Sequence, residues 1–374
     1  MIKKHLRPVI INLNSSKKYL IAFGCVSLLL ISIKLFNYSL TNHRSDDNYE
    51  DYFNSNYKIF NIRIPKNLNF AGEKVPVSNL RIHKAMEEEL VKNTYWQSQS
   101  LVLHKRASKW FPVIEPILKK YNIPNDFKYI ALVESQLTNV ISPQGATGFW
   151  QIVESTGKGY GMEITDEVDD RYHVVKSTEM ACKYFNEAHK QFNNWTLVAA
   201  SYNLGMNGIR AQLNKQHVDN YYDLHLTEET REYVFRILAM KEIISRPKVY
   251  GFMLKKRDLY RTVPTKFITI DTSISDLSEF ANAIGINYTV LKHLNPWLKA
   301  NTLTNTYRHQ GLIAIRSTVS KKRYLIEIPI NKVSMADLGL LDDSETTIHK
   351  DSTCSSIIPC AVVIDSISHN SAIK

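Results

Sequence analysis

The stretch ALVESQLTNVISPQGATGFWQIVEST, residues 131–156, decides how the chain is read. An apolar run ends on a single acid, Glu134. A loop punctuated by Gly145 and Gly148 follows, and then the pair Trp150-Gln151. Asn125 is placed to cap a helix over 126–135, with Phe127, Ile130, Ala131 and Val133-Glu134 near its buried side. A carboxyl there, beside Leu132, Val133 and an aromatic wall, loses hydration. Lost hydration raises its pKa and keeps it protonated near neutrality. Such a group can protonate a glycosidic oxygen.

Ordinary glycosidases need a second carboxylate. The near acids are Glu154, Glu163 and Asp166, and the sequence places none of them for that task. One acid is enough if the substrate supplies the rest. An N-acetylated sugar can stabilise charge at its anomeric carbon with its acetamido oxygen. Its C6 hydroxyl can then attack once Glu134, now a carboxylate, takes the hydroxyl proton. The product is a 1,6-anhydro sugar and no water is consumed; neighbouring residues need only orient the rings. A lone Glu at a helix end is by itself an ordinary solvated residue, so its company decides.

Outward from this stretch the pattern is helical over 77–250. Ser78 is positioned to cap a helix carrying Leu80, Met86 and Leu90. Helical character continues over 101–121, with Pro112 and Pro116 marking breaks or new starts. Further helices are predicted over 174–192, 195–213 and 227–244, the last ending before Pro247. Strand signals are absent, so 77–252 is predicted to be an all-α domain. After Pro264 the composition shifts to strand, helix, turn, helix, with a second strand at either 311–315 or 324–328. This gives a small α+β unit over 264–330. Residues 331–374 lack a sustained period and read as a flexible tail, and 37–76 as a stalk.

The formal charge is +11 over 374 residues. Residues 1–44 contain seven Lys and Arg and no acid, which leaves only +4 for the other 330 residues. That distribution argues against a nucleic-acid partner and for a membrane topology signal. The signal flanks an apolar run, 19–36, with a basic N-terminus over 1–18. A transmembrane signal anchor is the favoured reading. A cleaved signal peptide and a lipoprotein linked at Cys25 are the alternatives. Cys182 reads as core. Cys354 and Cys360 are either a disulfide pair in an oxidising compartment or two unpaired thiols. No spacing suggests a metal site, and no nucleotide or redox cofactor is implied.

Four ordered blocks resemble the family 1 lytic transglycosylases, with their soluble-lytic-transglycosylase or goose-lysozyme-like catalytic domain. They are YNIPNDFKYIALVES, the opening stretch, 168–205 ending in ASYNLG, and LTEETREYVFRILAMKEIISRPKVYG over 226–251. The resemblance covers about half of the chain. It implies a mainly α protein with a lysozyme-like all-α catalytic domain over 77–252. The implied activity is cleavage of the β-1,4 bond between N-acetylmuramic acid and N-acetylglucosamine in peptidoglycan, in the periplasm of a Gram-negative bacterium. A hydrolytic muramidase and a silent wall-binding scaffold are the alternatives. By that resemblance Glu134 is the acid and base. Ser135 is its polar neighbour, Gly148 allows a close backbone approach, and Gln151 lines the glycan groove. Tyr202 and Asn203 sit beside the Glu, where a Tyr hydroxyl can reach the carboxyl or the substrate. Glu229 and Tyr233 border the groove.

Departures are modest. Trp150 replaces a common Met and is either core or a sugar platform. Ser201 replaces a common Ala, and Glu154 replaces a common Pro and adds an acid. Asp170 and Arg171 read as an ion pair or cap. Residues 266–298 resemble a divergent LysM module, with Leu277, Phe280, Ala281 and Ile284 as its helical stripe and Leu294-Asn295-Pro296 as its ending. The module's role is either glycan binding or purely structural.

Overall fold

The computed structural model describes residues 15–57, 59–260, 262–308 and 319–332. Two units divide between Arg63 and Ile64. The first contains α1, Ser15–Asn56, a helix of 42 residues. Its apolar side chains, among them Leu20, Phe23, Leu29, Ile33 and Phe36, are exposed. Among the described residues, no helix is long and apolar enough to cross a membrane. The transmembrane anchor expected over 19–36 is therefore not supported. The uncharged part, 19–33, explains why: at 1.5 Å per residue it spans about 22 Å, short of a hydrocarbon core of about 30 Å.

The second unit begins earlier than the sequence pattern suggests. Residues 64–76, read as the end of a stalk, fold onto the helical body. Strands β1 (Asn69–Phe70) and β2 (Glu73–Lys74) form a small hairpin. Leu68, Phe70 and Val75 are buried, and Ala71 donates its N–H to Asp126 Oδ2 at 2.7 Å. The hairpin was hidden because its apolar residues are few and scattered among polar ones.

Helices α2 (Leu80–Tyr95) and α3 (Gln97–Lys120) follow. The cap of α2 is Asn79, one residue after the expected Ser78; its side chain accepts from Arg81 N at 2.9 Å. Pro112 and Pro116 lie inside α3 rather than breaking it. Each removes one helical N–H, but Phe111, Ile114, Ile117 and Leu118 are buried around them and hold the helix. Asn125 opens a 3-10 turn, Asn125–Phe127, and α4 runs over Lys128–Ser135. After α5 (Glu154–Gly159) come α6 (Val174–Phe192), α7 (Trp195–Leu204), α8 (Met206–Gln216) and α9 (Glu228–Ser245). The single helix expected over 195–213 is two, because Gly205 takes φ +81° and turns the chain. Phe127 centres the core, with ring centroids 4.6 Å from Phe185, 5.2 Å from Phe70 and 5.3 Å from Trp195. Helix α2 packs on α9, and α4 packs on both α3 and α9.

The C-terminal module has β3 (Thr265–Ile270), α10 (Leu277–Ala283), α11 (Tyr288–Leu294), β4 (Thr306–Arg308), β5 (Val319–Lys321) and β6 (Tyr324–Pro329). Strand β6 resolves the choice for the second strand: it pairs antiparallel with β3 in the register Ile268↔Ile326. The other option, 311–315, lies outside the described residues, as do Cys354, Cys360 and the tail over 333–374. Asp276 caps α10 and Asn287 caps α11. Leu277, Ala281, Leu291, Trp297, Leu303, Tyr324 and Ile326 form the module's core.

Candidate active site

Glu134 is the penultimate residue of α4. The helix stops hard after it: Gln136 and Leu137 both take left-handed φ values, 57° and 56°. Two consecutive left-handed non-glycine residues are uncommon and turn the chain abruptly. Glu134 is left half-buried. Helix α9 passes alongside, and the Tyr233 hydroxyl donates to Glu134 Oε1 in a short hydrogen bond.

Burial pushes the Glu134 carboxyl up to about 7. The Tyr233 bond and the positive charge of Arg236 pull it down, and Glu229 raises it further. Desolvation wins. Tyr233 is itself buried, which holds its hydroxyl far above the ordinary phenol range, so it stays a donor. Sequence reading missed Arg236. It is anchored by Glu89, buried on α2, at 3.6 Å, and by Glu232 at 3.8 Å. A charged residue on the apolar face of α2 is the signal that was available in the sequence.

The expected companions separate into three groups. Tyr202 lies close enough to feel the Glu134 charge, but its hydroxyl donates at 2.6 Å to the carbonyl of Trp150, not to the carboxyl. Tyr233 makes the carboxyl contact instead. Asn203 Oδ1 accepts from Thr230 Oγ1 at 2.9 Å, tying α7 to α9. Glu229 is exposed in the first turn of α9.

The second group belongs to the loop opposite. Ser135 is buried and donates to the carbonyls of Ala131 (3.1 Å) and Phe149 (2.8 Å), fastening the loop to α4. Gln151 Nε2 donates to Gly148 O at 2.8 Å and Val140 O at 3.1 Å, so its amide nitrogen is committed to the loop. Gly148 does permit a close backbone approach, but to Arg171: a Cβ there would sit 2.1 Å from the Arg171 carbonyl oxygen. Trp150 is core; its Nε1 donates to Thr178 Oγ1 at 2.8 Å.

The third group comprises the other acids. Glu154 is exposed and bonded to Lys158 at 2.6 Å. Glu163 accepts from Tyr324 at 3.0 Å and pairs with Lys322 at 2.9 Å, away from Glu134. Asp166 is exposed. Arg171 pairs with Asp169 at 2.8 Å, while Asp170 pairs with Lys176 at 2.7 Å. The pairing expected between Asp170 and Arg171 is therefore shifted by one residue. Among the described residues, Glu229 is the one acid that the Glu134 carboxyl senses.

Glu134 is thus a half-buried, protonatable carboxyl at a helix end inside a helical body. Residues 112–224 match the Transglycosylase SLT domain, and 266–332 match the Soluble lytic transglycosylase C-terminal LysM-like domain. The chain thus contains an SLT-type transglycosylase domain followed by a LysM-like domain.

It is homologous to membrane-bound lytic murein transglycosylase D of Escherichia coli (strain K12). The two are 30% identical over 243 residues, covering 63% of this chain and 52% of that protein. The same protein of Escherichia coli O6:H1 matches equally. The chain spans about half the length of these curated relatives. Among solved structures, the 70 kDa soluble lytic transglycosylase of Escherichia coli aligns at 22% identity. That alignment covers 39% of this chain and 26% of that one at a TM-score of 0.30, too partial to carry an argument.

Proposed function

We propose that this chain is a peptidoglycan lytic transglycosylase. It cuts the β-1,4 bond between N-acetylmuramic acid and N-acetylglucosamine and leaves a 1,6-anhydromuramic acid end. The observation that carries this reading is Glu134: a single carboxyl pushed up to about 7 by burial and held by a neutral Tyr hydroxyl.

With Oε1 fixed by Tyr233, the Glu134 proton passes to the glycosidic oxygen as the bond to the anomeric carbon breaks. The substrate's acetamido oxygen meets the positive charge at that carbon. The resulting Glu134 carboxylate then takes the C6 hydroxyl proton while O6 bonds to the anomeric carbon. Glu134 regains its proton, and no water enters. Gln151 and Glu229 flank the sugar. Ser135, Gly148, Tyr202 and Asn203 shape the two walls, and glycan strands are the partner.

Glu154 and Glu163, the acids nearest in sequence, are committed to lysines; a hydrolytic pair would have to draw its second member from Glu229, the acid that the Glu134 carboxyl senses. We place the activity at the cell envelope, in the periplasm, where this polymer lies.

The test is mass spectrometry of muropeptides released by the full chain. Anhydro products, one water lighter than hydrolytic ones, are expected. Free reducing ends would establish the muramidase alternative, and no release at all would leave the scaffold reading.

A further inference from the structure

The LysM-like module is not hung from the helical domain by a linker. It is built around a segment of that domain. Val168, 1% exposed, sits inside the module's own apolar core. Backbone bonds join the two: Asp169 N donates to Trp297 O at 2.9 Å and Lys299 N to Glu167 O at 2.8 Å, beside a β-bridge between Val168 and Leu298. The Glu167 carboxylate accepts from Thr304 N at 2.8 Å, Thr304 Oγ1 at 3.1 Å and the Thr302 hydroxyl. Two of the module's aromatic residues, Trp297 and Tyr324, are turned inward, while Phe267 is exposed. Trp297 and Tyr324 stack at 5.9 Å, His173 stacks on Trp297 at 5.9 Å, and both Trp297 and Tyr324 are buried.

The other side of the same segment holds the loop next to Glu134. The carboxylate of Asp169 accepts from Arg171 N and Nε, both at 3.0 Å, and from Nη2 at 2.8 Å. So fixed, Arg171 Nη1 donates to Gly145 O at 3.2 Å and to Ile152 O at 3.3 Å, the middle and the end of the loop. The Arg171 carbonyl lies where a Gly148 Cβ would be. Asn139 Nδ2 donates to Tyr172 O at 3.3 Å. Asp169 is the pivot: its backbone is bonded to the module and its side chain to the residue that clamps the loop.

We propose that the LysM-like module is a brace for the loop over 139–152, acting through the 163–173 segment, with Arg171 as the positioning residue. The coupling stands on contacts alone. Its consequence for glycan cleavage rests on the function proposed above. Interfaces between separable domains are typically polar and allow relative motion. A shared apolar core with backbone pairing makes the two regions one cooperative unit that opens together.

Hydrogen–deuterium exchange of the full chain tests this. Glu167→Ala is expected to speed exchange of 139–152 by about tenfold or more, with Glu167→Gln, which keeps an acceptor for the two threonines, restoring most of the protection. Arg171→Lys, which keeps the charge but loses the fork, is expected to loosen 139–152 while 297–304 stays protected. Glu154→Gln should leave all three segments as in the wild type.

The proposal is overturned if Glu167→Ala loosens 297–304 and leaves 139–152 unchanged. If Glu167→Ala fails to fold, native-state exchange of the wild type across a denaturant series decides. A common opening free energy and slope for 139–152 and 297–304 supports the brace, and distinct ones refute it. None of these measurements reads glycan cleavage, so a failure of the transglycosylase reading would leave them interpretable.

Discussion

The two walls that flank Glu134, α9 and the loop over 139–152, are built differently. On the α9 wall, side chain meets side chain: Tyr233 on the carboxyl, Arg236 behind it, and Glu89 and Glu232 behind Arg236. Tyr233 and Arg236 from this side lower the Glu134 pKa against the larger upward push of burial. The loop wall is held through its backbone carbonyls and amides: Thr147 and Ile152 exchange hydrogen bonds at 3.1 and 3.0 Å, Gly148 N reaches Val140 O at 2.9 Å, and the Arg171, Gln151 and Ser135 side chains donate to its carbonyls. It presents no titrating group to Glu134. If Glu134 acts as proposed, variants on the two walls should fail in distinguishable ways, those beside α9 through its proton and those in the loop through its surroundings.

The largest effect belongs to neither wall. Glu134→Gln is expected to reduce glycan cleavage by about a thousandfold or more while preserving the fold; undiminished clearing of a peptidoglycan gel would sink the mechanism. The same variant probes stability. The folded-state pKa of Glu134 is raised from 4.5 to about 7, so the native state holds the proton more tightly than the unfolded one. The wild type then loses stability as pH rises from 4.5 through 7, and Gln is exempt. Thermal denaturation should find Glu134→Gln more stable than the wild type at pH 8, on the order of 1–3 kcal/mol, with the difference vanishing below pH 4.5.

Next comes the loop wall. Gly148→Ala would place a methyl 2.1 Å from a carbonyl oxygen at φ +80°, a cost of about 3 kcal/mol or more. A melting temperature equal to that of the wild type would mean that the loop is not held against Arg171. Tyr233→Phe, on the α9 wall, should lower kcat/KM by about ten- to a hundredfold. Its distinguishing mark is direction: the Tyr233 bond lowers the Glu134 pKa, so its loss should move the alkaline limb of the pH profile upward. Tyr202→Phe is the smallest. It orphans the Trp150 carbonyl, costing about 1–2 kcal/mol of stability, and should leave the position of that limb where it is.

Much of this protein was legible without coordinates. The helical body, the extents of α6 and α9, the α+β module and the lone acid at a helix end all follow from local pattern, because periodicity and caps are written in neighbouring residues. Where local pattern misled, a distant contact had intervened. Pro112 and Pro116 stay helical because the side chains around them are buried. Residues 69–74 pair and pack because Asp126 and the helical body receive them. Trp150 is core because Thr178 accepts its N–H.

By itself the sequence determined the helical class of the fold and the lone acid at a helix end, since both depend on short-range pattern and spacing; the acid's proposed role came from the resemblance. Only the tertiary structure decided which tyrosine touches that residue. Tyr202 and Tyr233 are equally suitable in a list of letters. They are separated by the way α9 passes α4 while α7 points its hydroxyl at the loop. The structure also decided that the LysM-like module shares a core with the catalytic domain. Burial of Val168 among residues more than a hundred positions away is a property of the packed chain, and no local pattern encodes it.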